Sequence, residues 1–424
     1  MPLGNWRFRP LSELSENLDS RRVPVKEADR RPGPFPYYGA SGIVDHIDAY
    51  LFDGLHLLVA EDGENLRTRK LPIAFLADGK FWVNNHAHII RANDDSDTRF
   101  LMYALAVADV ASYLTGSTMP KLTQGNLHRI PIYAPDRDEQ IEIAAILGAL
   151  DDKIELHRRM NETLEAMAQA IFKDWFVDFG PTRRKLAGIT DPVAIMGGLV
   201  QDPARAATLA ALFPAALGND GLPVGWEKGT LTDLATLNPE VWSARNQPAH
   251  IEYVDLANTK WGTIEATTNY SRNQAPSRAK RVIRKGDTIV GTVRPGNGSY
   301  AFVGRDGLTA STGFAVLRPY NVQFAPLLYC AATRRENIER LAALADGGAY
   351  PAIRPELAIE TELSGSRTHV ASFFGTLGSP LMEKIAANKA ESSTLAATRD
   401  LLLPKLMSGE IRLRDAEAIA EDAT

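Results

Sequence analysis

The chain has 424 residues, more than one ordinary hydrophobic core accommodates, so its length predicts two or more domains. Apolar residues make up 45% and charged residues 23%, as in soluble globular proteins. The sequence contains no run of about 18 apolar residues, the length that would be needed to span a bilayer. The only cysteine, Cys330, excludes an intrachain disulfide and a thiolate-rich metal site. The first residues lack a secretory signal pattern, so we expect a cytoplasmic protein.

Residues 1–135 are predicted to form a mixed, strand-rich domain. Segments 55–60 and 81–83 are rich in β-forming residues and are bounded by Gly, Asp or Pro. This pattern is typical of short strands joined by long loops.

Residues 136–180 are predicted to form one long helix. Acidic residues after Pro135 offer an N-cap and a first turn, and apolar residues follow at helical spacing. The apolar stripe fits a heptad pattern whose middle is polar, at His157 and Asn161. Residues 181–222 contain glycine pairs and prolines and are predicted to be a connector.

The second half of the chain repeats this order. Residues 223–370 are predicted to form a second strand-rich domain, residues 371–410 a second long helix, and residues 411–424 an acidic tail. The stripe of the second helix is also polar in its middle, at Asn388 and Ser392.

The two long helices are predicted to pack antiparallel as a coiled coil that separates the two strand-rich domains by roughly 55–60 Å. In that arrangement His157 and Asn161 lie beside Asn388 and Ser392, and a buried polar layer of this kind fixes register and orientation. Periodicity alone fits two amphipathic helices of an ordinary core equally well.

Short matches between the two halves indicate an internal repeat. Trp6 and Leu11 recur, with the same order of apolar and acidic neighbours, as Trp226 and Leu231. Further matches share one constant offset along the chain: Gly116 with Gly347, Lys153 with Lys384, and Thr163 with Thr394. The predicted fold class is therefore α+β, with two mixed, strand-rich domains, two long antiparallel helices and a pseudo-two-fold repeat.

The sequence lacks the motifs of catalysis on DNA. No GxxxxGK[ST] loop is present, which argues against an ATP motor. Residues 238–240 lack the second proline and the aromatic residue of a methyltransferase loop, so we interpret them as a turn. His86 and His88 could share one strand face, but without a third ligand packing or hydrogen bonding is favoured over a metal. No catalytic and no metal-binding residue is expected.

The net charge of −5 argues mildly against a nucleic-acid partner, but the charge is unevenly distributed. Residues 272–294 contain seven basic residues and one acidic residue, whereas residues 136–178 contain eleven acidic and five basic residues. The basic stretch also contains amides, the mixture that base readout uses, since Arg binds guanine, Asn or Gln binds adenine, and Lys binds phosphate. A solvated hairpin with ordinary surface charge is the alternative.

Candidate DNA contacts lie in both strand-rich domains. Arg294 leads, because it lies between a β segment and a glycine-rich turn, where a loop can approach DNA closely. The segments that begin at Gly116 and Gly347 occupy equivalent places in the two domains. The candidates are Arg272, Arg278, Lys280, Arg281, Arg294, Asn297, Ser299, Tyr350 and Arg354 in the second domain, and Tyr37, Tyr38, Arg67, Arg69, Lys70 and Lys121 in the first.

Five short strings accompany this order of domains and helices. They are residues 37–42 (Tyr-Tyr-Gly-Ala-Ser-Gly), 82–88, 139–141 (Glu-Gln-Ile), 175–181 and 221–226. Together they resemble the specificity subunit of type I restriction-modification enzymes over essentially the whole chain. One departure is that the second long helix lacks the Glu-Gln start and has His369-Val370-Ala371-Ser372 in that place.

The resemblance implies two target recognition domains in inverted orientation, each reading half of a bipartite site in double-stranded DNA. It implies partner methyltransferase subunits, which bring S-adenosylmethionine, and ATP- and Mg-dependent restriction subunits, with no cofactor on this chain. We expect the methyltransferase contacts on the acidic stretch 136–178. Base-contacting residues do not transfer, because recognition domains diverge with the sequence they read.

Three alternatives remain open at this point. The chain could be a methyltransferase or nuclease with altered motifs, or a coiled-coil scaffold without sequence-specific DNA binding. It could also be the recognition subunit of a related, non-type-I methylating nuclease.

Overall fold

The computed structural model describes residues 6–243, 245–365 and 369–423. The chain divides into two compact units. The first unit comprises Met1–His157 and Ala390–Thr424, and the second comprises Arg158–Lys389. Each unit therefore contains one strand-rich region and a part of each long helix.

The strands of the first unit form three small sheets. They are the antiparallel pair Arg7–Pro10 and Pro131–Ala134, the antiparallel sheet Ser15–Asn17, Ala87–Ala92, His56–Ala60 and Ala74–Ala77, and the mixed sheet Gly42–Ile47, Pro32–Gly39 and Trp82–Val83, each in spatial order. All five residues of His56–Ala60 are buried because both faces of their sheet are covered. Leu57 packs with Leu11 and Leu127 on one face, and Leu58 packs with Phe52 and Phe81 on the other.

Short helices cover these sheets. Thr98–Val107 begins at Asp97, whose carboxylate accepts a hydrogen bond from the amide of Phe100, as an N-cap does. The remaining short helices are Leu11–Glu13, Asp19–Arg21, Glu27–Asp29, Asn65–Thr68, Ala111–Tyr113, Gln124–Arg129 and Leu413–Asp422. The last of them lies in the predicted acidic tail and buries Ala416 and Ala420 in the core of the first unit.

The strands of the second unit form four sheets. They are the antiparallel pair Glu227–Thr230 and Glu362–Gly365, the antiparallel sheet Ala235–Leu237, Phe314–Pro319, Thr288–Gly291 and Tyr300–Phe302, the mixed sheet Thr268–Ser271, His250–Val254, Leu308–Ser311 and Ala279–Ile283, and the hairpin Thr259–Lys260 with Thr263–Ile264. The first two correspond in strand order to the first two sheets of the first unit, and the third corresponds to the mixed sheet with one additional strand, Ala279–Ile283. The internal repeat predicted from short sequence matches is therefore also a repeat of topology.

The helices of the second unit include those of the predicted connector. They are Gly180–Leu186, Pro192–Ile195, Pro203–Ala211, Leu231–Asp233, Pro295–Asn297, Val322–Phe324, Ala325–Thr333, Arg335–Ala343 and Glu356–Ile359. Met196, Leu209 and Phe213 of the connector pack in the core of this unit beside Trp175 and Trp226. Part of the connector is therefore a packed element. The boundaries proposed for the recognition domains, connector and tail stay a prediction.

The two long helices are Arg137–Phe172, followed by the π-helical turn Lys173–Val177, and His369–Met407. The first begins at Asp136, whose Oδ1 accepts from the amide of Glu139 at 3.2 Å, and it is held there by the fully buried Gln140. Gln140 accepts a hydrogen bond from Ser96 Oγ at 2.8 Å and donates one to the carbonyl of Pro135 at 3.0 Å.

Within each unit the helix segments run antiparallel. In the first unit, Arg399 Nη1 lies 2.7 Å from Asp151 Oδ1, and Lys153 Nζ lies 2.6 Å from Glu391 Oε1. In the second unit, Phe374, near the start of the second long helix, packs edge-on against Phe172 and Trp175, at the end of the first. The predicted α+β architecture, with two strand-rich regions and two long antiparallel helices, is confirmed.

Candidate nucleic-acid interface

A loop of residues 115–121 in the first unit is closed by backbone hydrogen bonds. The amide of Thr115 donates to the carbonyl of Lys121 at 2.8 Å, and the amide of Lys121 donates back at 2.7 Å. The amide of Gly63 donates to the carbonyl of Pro120 at 3.1 Å, which ties the loop to the segment after strand His56–Ala60. The backbone of this loop is therefore held at its base, while its residues 116–119 are exposed.

A loop of residues 346–352 in the second unit has the same framework. The amides of Asp346 and Ala352 exchange hydrogen bonds with each other's carbonyl at 3.1 and 2.8 Å. The amide of Arg294 donates to the carbonyl of Pro351 at 2.7 Å. Each residue in these hydrogen bonds is separated from its counterpart in the first unit by the same number of residues that separates Gly116 from Gly347. The sequence repeat therefore extends to individual hydrogen bonds.

Arg294, the leading candidate, contacts this second loop. Its guanidinium carbon lies 4.7 Å from the centre of the Tyr350 ring, and its Nη2 donates to the carbonyl of Ala349 at 2.5 Å. Its backbone has a φ of 48°, in the left-handed region that costs a non-glycine residue about 1–2 kcal/mol. Asn297 is exposed on the turn that follows. Arg294, Asn297 and Tyr350 thus lie together at one surface of the second unit.

The basic stretch after Arg272 follows an edge strand. Arg278 and Lys280 are exposed at the start of strand Ala279–Ile283, and Arg272 is exposed in the loop before it. These three side chains have no acidic partner among the described residues, which leaves their charges available to phosphates. Arg354, after the second loop, is likewise exposed.

Two other cations of this stretch are less available. Arg281 is half-buried, and burial lowers the pKa of its guanidinium. Arg284 binds Glu240 through two nitrogens at 2.6 and 2.8 Å. Hydrogen bonds from Arg284 and Arg318 lower the pKa of Glu240 to about 2, so its carboxylate stays charged and occupies Arg284.

Three candidates must be corrected because their side chains are occupied or buried. The Tyr37 side chain is 1% exposed, and the amide of Val25 donates to its hydroxyl at 3.0 Å. Ser299 is 6% exposed, and its hydroxyl donates to the carbonyl of Leu256 at 3.0 Å. Arg69 donates to the carbonyls of residues 105, 106 and 108 and so anchors the end of helix Thr98–Val107. Tyr37 and Ser299 are therefore enclosed within their units, and the guanidinium of Arg69 is occupied by backbone carbonyls.

The other candidates of the first unit lie nearer the surface. Arg67 and Lys70 are exposed, and Arg67 pairs with Glu64 at 3.1 Å. Tyr38 is half-buried against Phe81. Lys121 is exposed at the base of the first loop, where its Nζ lies 3.2 Å from Glu61 Oε1.

Lys121 belongs to a buried charge network that sequence reasoning missed. His88 is 1% exposed, and its two ring nitrogens lie 2.5 Å from Asp19 Oδ2 and 2.7 Å from the carbonyl of Leu122. Arg22 Nη1 joins Glu61 at 2.8 Å and the carbonyl of Ala87 at 2.7 Å. The network therefore fixes the residue that follows the first loop. The sequence signal of this network is the spacing of His86 and His88. For these two residues the sequence favours packing or hydrogen bonding over metal binding.

The predicted polar layer of the helices is divided between the two units. In the first unit, His157 Nδ1 lies 3.2 Å from Ser392 Oγ. In the second unit, Asn388 Nδ2 donates to Asn161 Oδ1 at 2.9 Å. His157 is 5% exposed and Asn388 is fully buried, so each unit contains one buried polar contact between its helix segments.

Among the residues that the structure describes, no group of three or more His, Cys, Asp or Glu side chains is arranged to hold a metal ion. None of the helices in the described ranges has the length and apolar character that a membrane span requires.

These features define a class of protein with two topologically equivalent, strand-rich modules, each with a backbone-tethered loop and exposed basic side chains, and two long antiparallel helices. Residues 4–166 match the family model described as the type I restriction modification DNA specificity domain. A type I restriction enzyme specificity subunit described from Haemophilus influenzae is 38% identical over 144 residues, a match that spans 34% of this chain and 37% of that relative. The MjaIX specificity subunit of Methanocaldococcus jannaschii is 22% identical over 97% of this chain and 94% of its own length.

A solved structure shares the fold. The type I restriction-modification S subunit from M. genitalium has a TM-score of 0.58 and 17% identity, and the superposition covers 95% of this chain and 96% of the other. Residues 4–166 thus match the specificity-domain family, and over nearly its whole length the chain is similar to a type I restriction enzyme specificity subunit.

Proposed function

We propose that this chain recognises a bipartite sequence in double-stranded DNA and directs methylation or restriction by partner subunits. Each strand-rich module reads one half-site. The observation that supports this most strongly is the duplicated loop framework. Equivalent backbone hydrogen bonds hold loops 115–121 and 346–352, while the side chains that the loops present differ. A shared framework with different exposed groups suits two modules that read different bases.

The long helices are proposed to set the unread spacer between the two half-sites. The buried contacts His157 with Ser392 and Asn161 with Asn388 fix the register of the helix segments within each unit. A slip of either helix would separate these polar partners from each other, which penalises alternative registers.

The chemistry is proposed to reside on partner subunits. Methyltransferase subunits would supply S-adenosylmethionine, restriction subunits would supply ATP and Mg-dependent cleavage, and this chain would be a non-catalytic subunit working in the cytoplasm, where its DNA substrate lies. The acidic stretch 136–178 is the proposed methyltransferase contact, and its residues Asp152 and Glu162 are exposed.

Single-molecule methylation mapping tests this function. Genomic DNA would be compared from cells with and without this chain, with its partner methyltransferase expressed in both. The proposal predicts a split methylation motif that disappears with the chain. An unchanged methylome, with the complex shown to assemble, would contradict it and favour a scaffold without sequence-specific DNA binding.

A further inference from the structure

The two tethered loops share more than their backbone, because their tips carry an exposed apolar side chain at the same position. Met119 is 60% exposed in the first loop, and Tyr350 is 73% exposed in the second. They are related by the same repeat offset as Gly116 and Gly347, and they directly precede the prolines whose carbonyls are tethered. Lys121, a candidate from the sequence, lies instead at the loop base and corresponds to Ala352.

The glycines of the loops explain why the tips project. Gly116 has a φ of 86°, and an added Cβ would lie 2.2 Å from the carbonyl oxygen of Met119. Gly347 has a φ of 112° at the equivalent position. Each glycine thus allows the tip to fold back over the loop base. Since the loop bases are held by hydrogen bonds, the backbone on either side of each tip is fixed before any ligand arrives, which lowers the entropic cost of binding.

The tether differs between the two units at one residue. The first loop is tethered by Gly63, whose φ of 111° is ordinary for glycine, and the second by Arg294, whose φ of 48° is strained for a side-chain-bearing residue. The first unit shows that a glycine is sufficient for this tether. The strained backbone of Arg294 therefore points to a use for its side chain. That side chain stacks on Tyr350, and its Nε and Nη1 make no hydrogen bond within the described residues.

We propose that Met119 and Tyr350 are the equivalent base-contacting tips of the two modules and determine specificity, a proposal that rests on the DNA-reading function above. The Tyr350 tip, with Arg294 stacked on it, reads a guanine through the remaining guanidinium donors, because Arg to guanine O6 and N7 is the commonest specific contact in the major groove. In the first unit Gly63 holds the position of Arg294 and offers no guanidinium, so the Met119 tip reads the apolar edge of a base pair, the thymine methyl group. Met119 and Tyr350 therefore contribute to opposite halves of one site.

The test uses the full chain assembled with its methyltransferase partner and the motif obtained from methylation mapping. Tyr350→Ala, Met119→Ala and Arg294→Ala are compared with Tyr320→Ala and Val107→Ala, which remove other exposed apolar side chains from the same two units. Affinity is measured for the specific duplex, for duplexes changed at one base pair of either half-site, and for non-specific DNA over a range of salt.

The expected result for Tyr350→Ala and Met119→Ala is about a tenfold loss of affinity for the specific duplex. Their affinity for non-specific DNA and its salt dependence stay unchanged. Tyr350→Ala and Arg294→Ala relax discrimination at a guanine of one half-site, and Met119→Ala relaxes it at a thymine of the other. Tyr350→Trp and Met119→Leu retain most of the affinity, whereas the two control variants bind like the unaltered chain.

Two results would overturn the inference while leaving the proposed function intact. One is unchanged specific affinity in the tip variants. The other is an equal loss on specific and non-specific DNA, which would assign the tips to phosphate contacts. If the unaltered complex shows no sequence preference, the proposed function itself fails.

Discussion

His88 Nδ1 and Asp19 Oδ2 lie 2.5 Å apart inside the first unit, and the other ring nitrogen of His88 lies 2.7 Å from the carbonyl of Leu122. The ring of His88 therefore joins a buried carboxylate to the backbone that follows the first loop. A buried carboxylate is retained only where it is compensated, and the ring of His88 and the guanidinium of Arg22, at 3.4 Å, do so for Asp19.

His88→Leu is predicted to destabilise the first unit by about 3–5 kcal/mol, because it leaves Asp19 buried without its main partner. His86→Leu is the matched control, since His86 lies two residues earlier, is half-exposed and pairs with Asp62 at the surface. It should cost less than about 1 kcal/mol. The free energy of unfolding of both variants is measured by urea unfolding and, separately, by hydrogen exchange of the amides in strand His56–Ala60. Equal losses would show that the buried pair has no special role.

The same network predicts acid sensitivity. Burial would raise the pKa of Asp19 and of Glu61, but hydrogen bonds and charges outweigh it, from His88 for Asp19 and from Arg22 for Glu61, and hold both pKa values below their ordinary range. The folded state therefore binds fewer protons than the unfolded state at acidic pH. The stability that these groups contribute is complete above the unfolded pKa of about 4 and is lost as pH falls through the folded values.

Unfolding free energies measured between pH 7 and pH 3 check this prediction. The unaltered chain should lose stability over this range, and Glu61→Gln should start less stable and lose less. A Glu61→Gln variant with the same pH dependence as the unaltered chain would contradict the assignment.

Arg294 offers a test of backbone strain. Arg294→Ala removes the side chain but keeps a Cβ in the left-handed conformation, whereas Arg294→Gly removes both. We expect Arg294→Gly to be more stable than Arg294→Ala by about 1 kcal/mol in thermal or urea unfolding. Gly63→Ala in the first unit should be destabilised, because it introduces the strain that glycine avoids there. If the two Arg294 variants are equally stable, the strain argument fails.

The Asn161 and Asn388 contact predicts non-additive effects. Asn161→Leu alone should cost about 1–3 kcal/mol, since it leaves Nδ2 of the fully buried Asn388 without its acceptor. The double variant, Asn161→Leu with Asn388→Leu, should be close to neutral or stabilising, because it replaces a buried polar pair with apolar packing. A double-mutant cycle by urea unfolding measures the coupling. Additive losses would mean that the two amides do not interact.

Much of the architecture was predictable because it is written in periodic patterns. The long helices follow from an apolar stripe after an acidic N-cap, and the repeat follows from matches at one constant offset, such as Gly116 with Gly347. The same offset, carried through the loops, also pairs Met119 with Tyr350 and Gly63 with Arg294. That signal is present in the sequence, but it is not a match of residue types, and only the tethered backbone shows that these positions are equivalent.

Individual side-chain roles were less predictable. Tyr37, Ser299 and Arg69 looked accessible, yet each is occupied by backbone groups that lie between 12 and 43 residues away in sequence. The network of Asp19, Arg22, Glu61 and His88 likewise assembles from separate strands and turns. Such contacts depend on tertiary packing, which composition and spacing do not encode locally.

Exchange of one module tests the central claim most directly. The second strand-rich region, residues 227–365, would be replaced by the corresponding region of another specificity subunit, and genomic methylation would be mapped at single-molecule resolution. We predict that one half of the split motif changes while the other half stays the same. A motif that changes in both halves, or in neither, with the complex shown to assemble, would contradict the proposal that each module reads its own half-site.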